Sequence, residues 1–205
     1  MKHIKKFENY GQETNLLIVD IQKSFRKFFT ELYLYKVNKL AETYTNVYQI
    51  FDNHVDGKNV DKDYLYDENP DLPVNGDLYE FPNQKELVEK RYNYDVDADF
   101  YKNILDEKTY KIVKSRESKG LLVKGEMYNT TEGTSIIYIG NNHNWIHLGK
   151  RLIKLLKSLS GKQVTIIGGS DSECLEDIFV AAESLGVLIK RDHGYIYSAV
   201  YCPIK

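Results

Sequence analysis

Three polar residues stand where apolar runs end: Asp20 after "NLLIV", Lys114 after "YKIV", and Cys174 shortly after "VTIIGG". Their chemistry fits together. A free thiol titrates near about pH 8.5 and is a weak nucleophile at neutrality unless its proton has somewhere to go. An aspartate can take that proton as a general base, and a lysine ammonium or a helix N-terminus favours the thiolate. Backbone N–H groups at the start of a helix can then hold the oxyanion formed by attack on a carbonyl. With an ammonium and a helix start nearby, Cys174 is expected to titrate at least about a unit below a free thiol. A lone cysteine is more often inert packing, so Cys174 carries weight only together with Asp20 and Lys114.

The elements around these residues read as alternating strands and helices. "NLLIVDI" (residues 15–21) is a continuous apolar run of the kind that suits a strand buried on both faces. "FFTELYLYKVNKLAETYTN" has near-helical apolar spacing, and "VYQIFDNH" is a second strand. "FPNQKELVEKRY" and "ADFYKNILDE" read as short helices, and "YKIVKS" (residues 110–115) as a third strand. "LLVKGEMYNTTEGTSIIYIG" reads as a hairpin insertion over about residues 120–140. "WIHLGKRLIKLLKSLS" is an amphipathic helix with Leu148, Leu152, Leu155, Leu156 and Leu159 on one face. "QVTIIGG" is the fourth strand, "CLEDIFVAAESLG" a helix stopped by Gly186, and "VLIK" the fifth strand. The expected fold class is α/β, in three α/β/α layers around a mostly parallel sheet, where functional groups gather at the carboxyl ends of the strands.

At 205 residues the chain is expected to form one domain over residues 1–205. Residues of about 56–101 are rich in Asp, Glu and Tyr and read as a long excursion, a lid or a partner surface. With Lys+Arg 28 against Asp+Glu 30, nothing in the charge balance points to nucleic acid. No segment approaches a membrane span, and the first residues lack a signal-peptide apolar region. Two cysteines far apart in sequence argue for free thiols, and the expected location is cytoplasmic. Cys202 reads as incidental. The 17 tyrosines have no physical account beyond amphipathic surface and pocket lining.

"LLIVDIQKSF", "YKIVKSRES" and "IIGGSDSECLEDIFVAAESLGVLI" together resemble the isochorismatase-like cysteine hydrolases, which include the nicotinamidases. The resemblance implies Asp20 as base, Lys114 as triad lysine and Cys174 as nucleophile. It also implies a cis peptide at Gly169–Ser170, with backbone amides near Ser170 and at Cys174 forming the oxyanion hole. The implied reaction is hydrolysis of a small amide through a covalent thioester on Cys174. "FDNHVD" is similar to the Asp-x-His with which nicotinamidases hold a divalent ion, zinc or iron, which would make Asp52 and His54 metal ligands. Both residues read equally as loop-capping side chains. Two alternatives stay open: a family fold without catalysis that serves as a binding or assembly module, and a metal-free hydrolase of a non-amide bond. The expected partner is a small-molecule substrate, with no nucleic acid and no membrane, and the pattern leaves room for a homo-oligomer.

Overall fold

Asn15–Val19 (β1) is buried along its whole length, and its alternating side chains enter two different cores. Leu16 and Ile18 point to one face of a sheet, Leu17 and Val19 to the other. The computed structural model describes residues 14–51, 78–90, 98–140 and 145–197. β1 pairs in parallel with Asn46–Phe51 (β2) on one side. In the order of the chain the next strand is Gln84–Glu89 (β3), which pairs in parallel with β2.

The opposite side of β1 is taken by elements from the end of the chain. Before them come the helices Glu31–Ala41 (α1), Ala98–Ile104 (α2) and Glu107–Ser118 (α3). The short strands Met127–Asn129 (β4), Ser135–Tyr138 (β5) and Trp145–Leu148 (β6) follow, then the helix Lys150–Ser158 (α4). Gln163–Gly168 (β7), the helix Cys174–Ser184 (α5) and Leu188–Arg191 (β8) complete the sequence. β7 pairs in parallel with β1, and β8 with β7, giving a five-stranded parallel sheet in the order β3-β2-β1-β7-β8.

Helices cover both faces of this sheet. α1 packs Val37 and Ala41 against Leu16, Ile18, Val47 and Ile167. Its start is fixed by Thr30, whose hydroxyl accepts from the Tyr33 N–H at 3.1 Å. On the other face α4 and α5 bury Leu152, Leu155, Leu156, Leu175 and Ile178 against Leu17, Val19, Ile50, Val164 and Ile166. Lys150, Arg151, Lys154 and Lys157 stand on the exposed side of α4, as the apolar stripe requires. The architecture is α/β with a parallel main sheet, and no helix among the described residues is long and apolar enough to cross a membrane.

Three element assignments from the sequence are corrected. Residues 84–89 form β3, not a helix, inside the stretch read as an acidic excursion. Glu and Lys are good helix formers, but here they line an edge strand whose buried residue is Val88. Residues 110–115 lie inside α3 rather than in a strand. Asp106 caps that helix by accepting from the Thr109 N–H at 3.0 Å, and Ile112, counted as a strand residue, is 45% exposed. Trp145–Leu148 does not begin a helix. All four residues are buried and pair antiparallel with β5, so the helix starts after Gly149. The expected hairpin is present as β4 and β5, and β6 extends it to a three-stranded antiparallel sheet.

His147 sits inside this second sheet, 3% exposed, with its Nε2 2.5 Å from the Thr134 hydroxyl. Thr134 in turn is 2.7 Å from the Thr130 hydroxyl, and the Phe100 ring packs edge-on against the imidazole at 5.4 Å. Burial holds the imidazole down at about 4. Between that value and the ordinary 6.5 the unfolded chain binds a proton that the folded chain does not. Stability therefore falls as the pH drops through this window, by up to about 3 kcal/mol in total. Urea denaturation at pH 7 and pH 4.5 should show that loss in the native sequence, and His147→Gln should flatten most of it.

Candidate active site

The carboxyl ends of β1 and β3 and the start of α5 meet at one point. Asp20 follows β1 directly and lies in the left-handed region, at φ 55°. That region is uncommon for a residue with a side chain, and aspartate is among those that tolerate it best. The Asp20 N–H donates to the Ile50 carbonyl at 2.9 Å, and its own carbonyl accepts from the Tyr197 hydroxyl at 2.5 Å. The turned backbone points the carboxylate inward, where Oδ2 forms an ion pair with Lys90 Nζ. Both side chains are 1% exposed.

Lys90 is the residue after β3, and its N–H donates to the Phe51 carbonyl at 2.8 Å, continuing the ladder to β2. It occupies the position that the sequence reading gave to Lys114. Lys114 lies on α3, about a third exposed, with its ammonium 2.5 Å from Glu117 Oε2 one turn along the same helix. The structure brings Asp20 and Cys174 together as expected but not Lys114. The signal for Lys90 was present: a lysine ends the run "ELVE", just as Asp20 ends "NLLIV". Reading that run as helix removed it from the strand ends.

Cys174 is the first residue of α5 and is half-buried. It reaches this place through a turn that only glycine allows. At Gly168, φ is +84°, and a Cβ there would collide with the Val19 carbonyl oxygen. Gly169 follows at φ +53° and donates its N–H to the same carbonyl at 2.9 Å. All peptide bonds among the described residues are trans, which corrects the expected cis bond at Gly169–Ser170. Ser170 is buried, its carbonyl accepts from the Leu175 N–H at 3.1 Å, and its hydroxyl has no hydrogen-bond partner among the described residues.

Arg191, the last residue of β8, fastens this turn from outside. Its guanidinium is 2.7 Å from Asp171 Oδ1, pairs with Glu176, and lies over the Phe179 ring at 4.1 Å. Lys124 pairs with Glu176 from the far side.

Around the sulfur stand the Asp20 carboxylate, the Ser170 backbone N–H and the Lys90 ammonium. Burial pushes the Cys174 thiol up from its usual 9.0 to about 12. The Lys90 ammonium pulls the other way, and the Asp20 charge and hydrogen bond push further up. The expected depressed thiol is thus corrected: at neutral pH Cys174 carries its proton, held against a carboxylate that can accept it. Cys174 opens α5, so its N–H is one of those without an intrahelical acceptor.

Asp52 and His54 lie outside the described residues, as does Cys202. Among the described residues no group of three or more His, Cys, Asp or Glu side chains is arranged to hold a metal ion. The fold and the site together define an α/β protein with a buried carboxylate, ammonium and thiol at the carboxyl edge of a parallel sheet. Compared with protein-family models, with curated proteins and with solved structures, the chain matches none.

Two substitutions test this geometry. Gly168→Ala should destabilise the fold by about 2–4 kcal/mol, since it combines a positive φ with a backbone collision; chemical denaturation measures it. Lys90→Ala should cost about 3–5 kcal/mol, because it leaves the Asp20 carboxylate buried without its ammonium. Lys114→Ala, which removes a partly exposed pair, should fall within about 1 kcal/mol of the native sequence.

Proposed function

We propose that this chain is a cysteine-dependent hydrolase of a small amide, of the isochorismatase-like kind, with Asp20 as base, Cys174 as nucleophile and Lys90 as their electrostatic partner. The observation that carries the reading is that one buried carboxylate pairs with the ammonium and stands beside the thiol. A packing cysteine needs neither neighbour, and placing two opposite charges beside it is unfavourable unless each charge is satisfied.

In this mechanism the Asp20 carboxylate removes the thiol proton as Sγ attacks the amide carbonyl carbon. The C–S bond forms, the carbonyl π pair moves to oxygen, and the oxyanion is held by the Cys174 backbone N–H at the helix start. Asp20 then gives the proton to the amide nitrogen, the C–N bond breaks, and ammonia or an amine leaves. Water attacks the thioester, with Asp20 taking one of its protons. The C–S bond breaks to release a carboxylic acid, and the proton returns to sulfur. Lys90 stays charged throughout and keeps Asp20 anionic between steps. The raised thiol suits this scheme, since the proton is moved only when a carbonyl is in place.

A panel of small amides, beginning with nicotinamide, assayed for ammonia release and for an acyl mass on the Cys174 peptide, tests the reading. Release and adduct should both vanish in Cys174→Ala, and release should fall by about 10³-fold or more in Asp20→Asn. No release and no adduct across the panel would overturn it. The depth of the thiol favours a second reading, the same fold as a binding module without turnover, and that result would put it first.

Alkylation of Cys174 by iodoacetamide separates the roles of the two charges. Asp20 raises the thiol and Lys90 lowers it. Asp20→Asn should therefore speed alkylation near neutral pH even as it abolishes hydrolysis, and Lys90→Met should slow it. Peptide mass spectrometry resolves the two cysteines in both measurements.

A further inference from the structure

Asp20 is held in its unusual conformation from both ends, and the second hold comes from a residue with no assigned role. The N–H is tied to Ile50 of β2, within the sheet. The carbonyl is tied at 2.5 Å to the hydroxyl of Tyr197, which lies in the segment after β8 and is 8% exposed. Freed at its carbonyl, a residue at φ 55° would tend to relax toward the broad β region, swinging carbonyl and side chain together. The carboxylate would then leave the thiol.

The phenol is itself held firmly. The Tyr197 ring stacks on Phe28 with 6° between the planes, lies 5.5 Å from Phe29, and meets Tyr33 edge-on at 87°. The Tyr33 hydroxyl donates to the Tyr195 carbonyl at 2.6 Å, fixing the backbone two residues earlier. Tyr33 thus spends its hydroxyl on the backbone beside Tyr197, and the hydroxyl that Tyr197 itself brings is aimed at Asp20.

We infer that Tyr197 is a positioning residue: its hydroxyl holds the Asp20 backbone in the left-handed conformation that presents the carboxylate to Cys174. The inference rests on the hydrolase reading, in which that contact is the proton path. Among the described residues, the charged and titratable groups facing Cys174 are Asp20 from the end of β1, Lys90 from the end of β3 and Tyr197 from the segment after β8. Tyr197 is uncharged at neutral pH, since burial first and then the nearby Asp20 push its phenol well above the ordinary value. Its hydroxyl's hydrogen bond is to Asp20, and that is the route by which it acts on the thiol here.

The test is the pH profile of Cys174 alkylation, resolved by peptide mass spectrometry in the full-length chain. Tyr197→Phe keeps the ring and its stacking and removes only the hydroxyl. Tyr44→Phe serves as the control, because it deletes a comparable hydrogen bond, 2.9 Å to the Thr165 hydroxyl, at a site on α1's flank removed from Cys174. The Tyr197→Phe profile should move to lower pH, the direction of Asp20→Asn, with alkylation near pH 7.5 faster by at least about threefold, half a pKa unit. Tyr44→Phe should superimpose on the native sequence. A Tyr197→Phe profile that superimposes on the native one while Asp20→Asn shifts would overturn the positioning role alone. An equal shift in Tyr44→Phe would overturn it too, as general loosening. If Asp20→Asn itself leaves the profile unmoved, the catalytic reading falls and the role of Tyr197 falls with it.

Discussion

Two opposite charges share a site from which water is excluded, and much of the surrounding structure follows from that pair. A carboxylate and an ammonium, each 1% exposed, are tolerable only when they meet each other and the neighbouring polar groups closely. That demand reaches into the backbone. Asp20 adopts a positive φ so that its side chain turns inward, and β3 must run parallel to β2 to its last residue so that Lys90 arrives opposite. Gly168 and Gly169 then let α5 begin close enough for its first side chain to join the pair. Replacing the pair by apolar residues would relax all three constraints at once.

The thiol shows how such a pair competes with its surroundings. A helix start and an ammonium both favour the thiolate, the helix start by about 0.3–1 kcal/mol at an exposed end and somewhat more when partly buried. The rise from 9.0 to about 12 corresponds to roughly 4 kcal/mol in favour of the protonated form. Burial wins, and the neighbouring carboxylate reinforces it. The cysteine is consequently held as a thiol beside a carboxylate, where oxidation and stray alkylation proceed slowly.

How much of this was legible in the sequence depended on how each element is buried. β1 and β7 read correctly because strands covered on both faces become unbroken apolar runs, and Asp20 and Cys174 were found at their ends. β3 is an edge strand, its outer positions filled by Gln, Lys and Glu, and that composition is indistinguishable from an exposed helix. Losing β3 meant losing Lys90, and the site was completed with Lys114 from a segment whose Ile and Val looked strand-like. The Asp106 cap was the better signal there, since it fixes α3 through backbone hydrogen bonds that side-chain propensity cannot outweigh. Depth was not legible at all. Whether Cys174 sits in water or under three chain segments is decided by tertiary packing, and with it the direction of its titration.

The two sheets also differ in how far apart their partners lie along the chain. Every neighbouring pair in the main sheet is parallel, and β1 waits for β7, which is synthesised long after it. β4, β5 and β6 are antiparallel, adjacent and joined by short connections. Loop-closure entropy weighs far more on the first arrangement than on the second. The small sheet is thus the element expected to form early, and its Ile137, Ile146 and Leu148 belong to the same core as α4 and α5. What looks in the finished molecule like an appendage to the parallel sheet is, in the order of assembly, the apolar floor on which the long-range strands can condense.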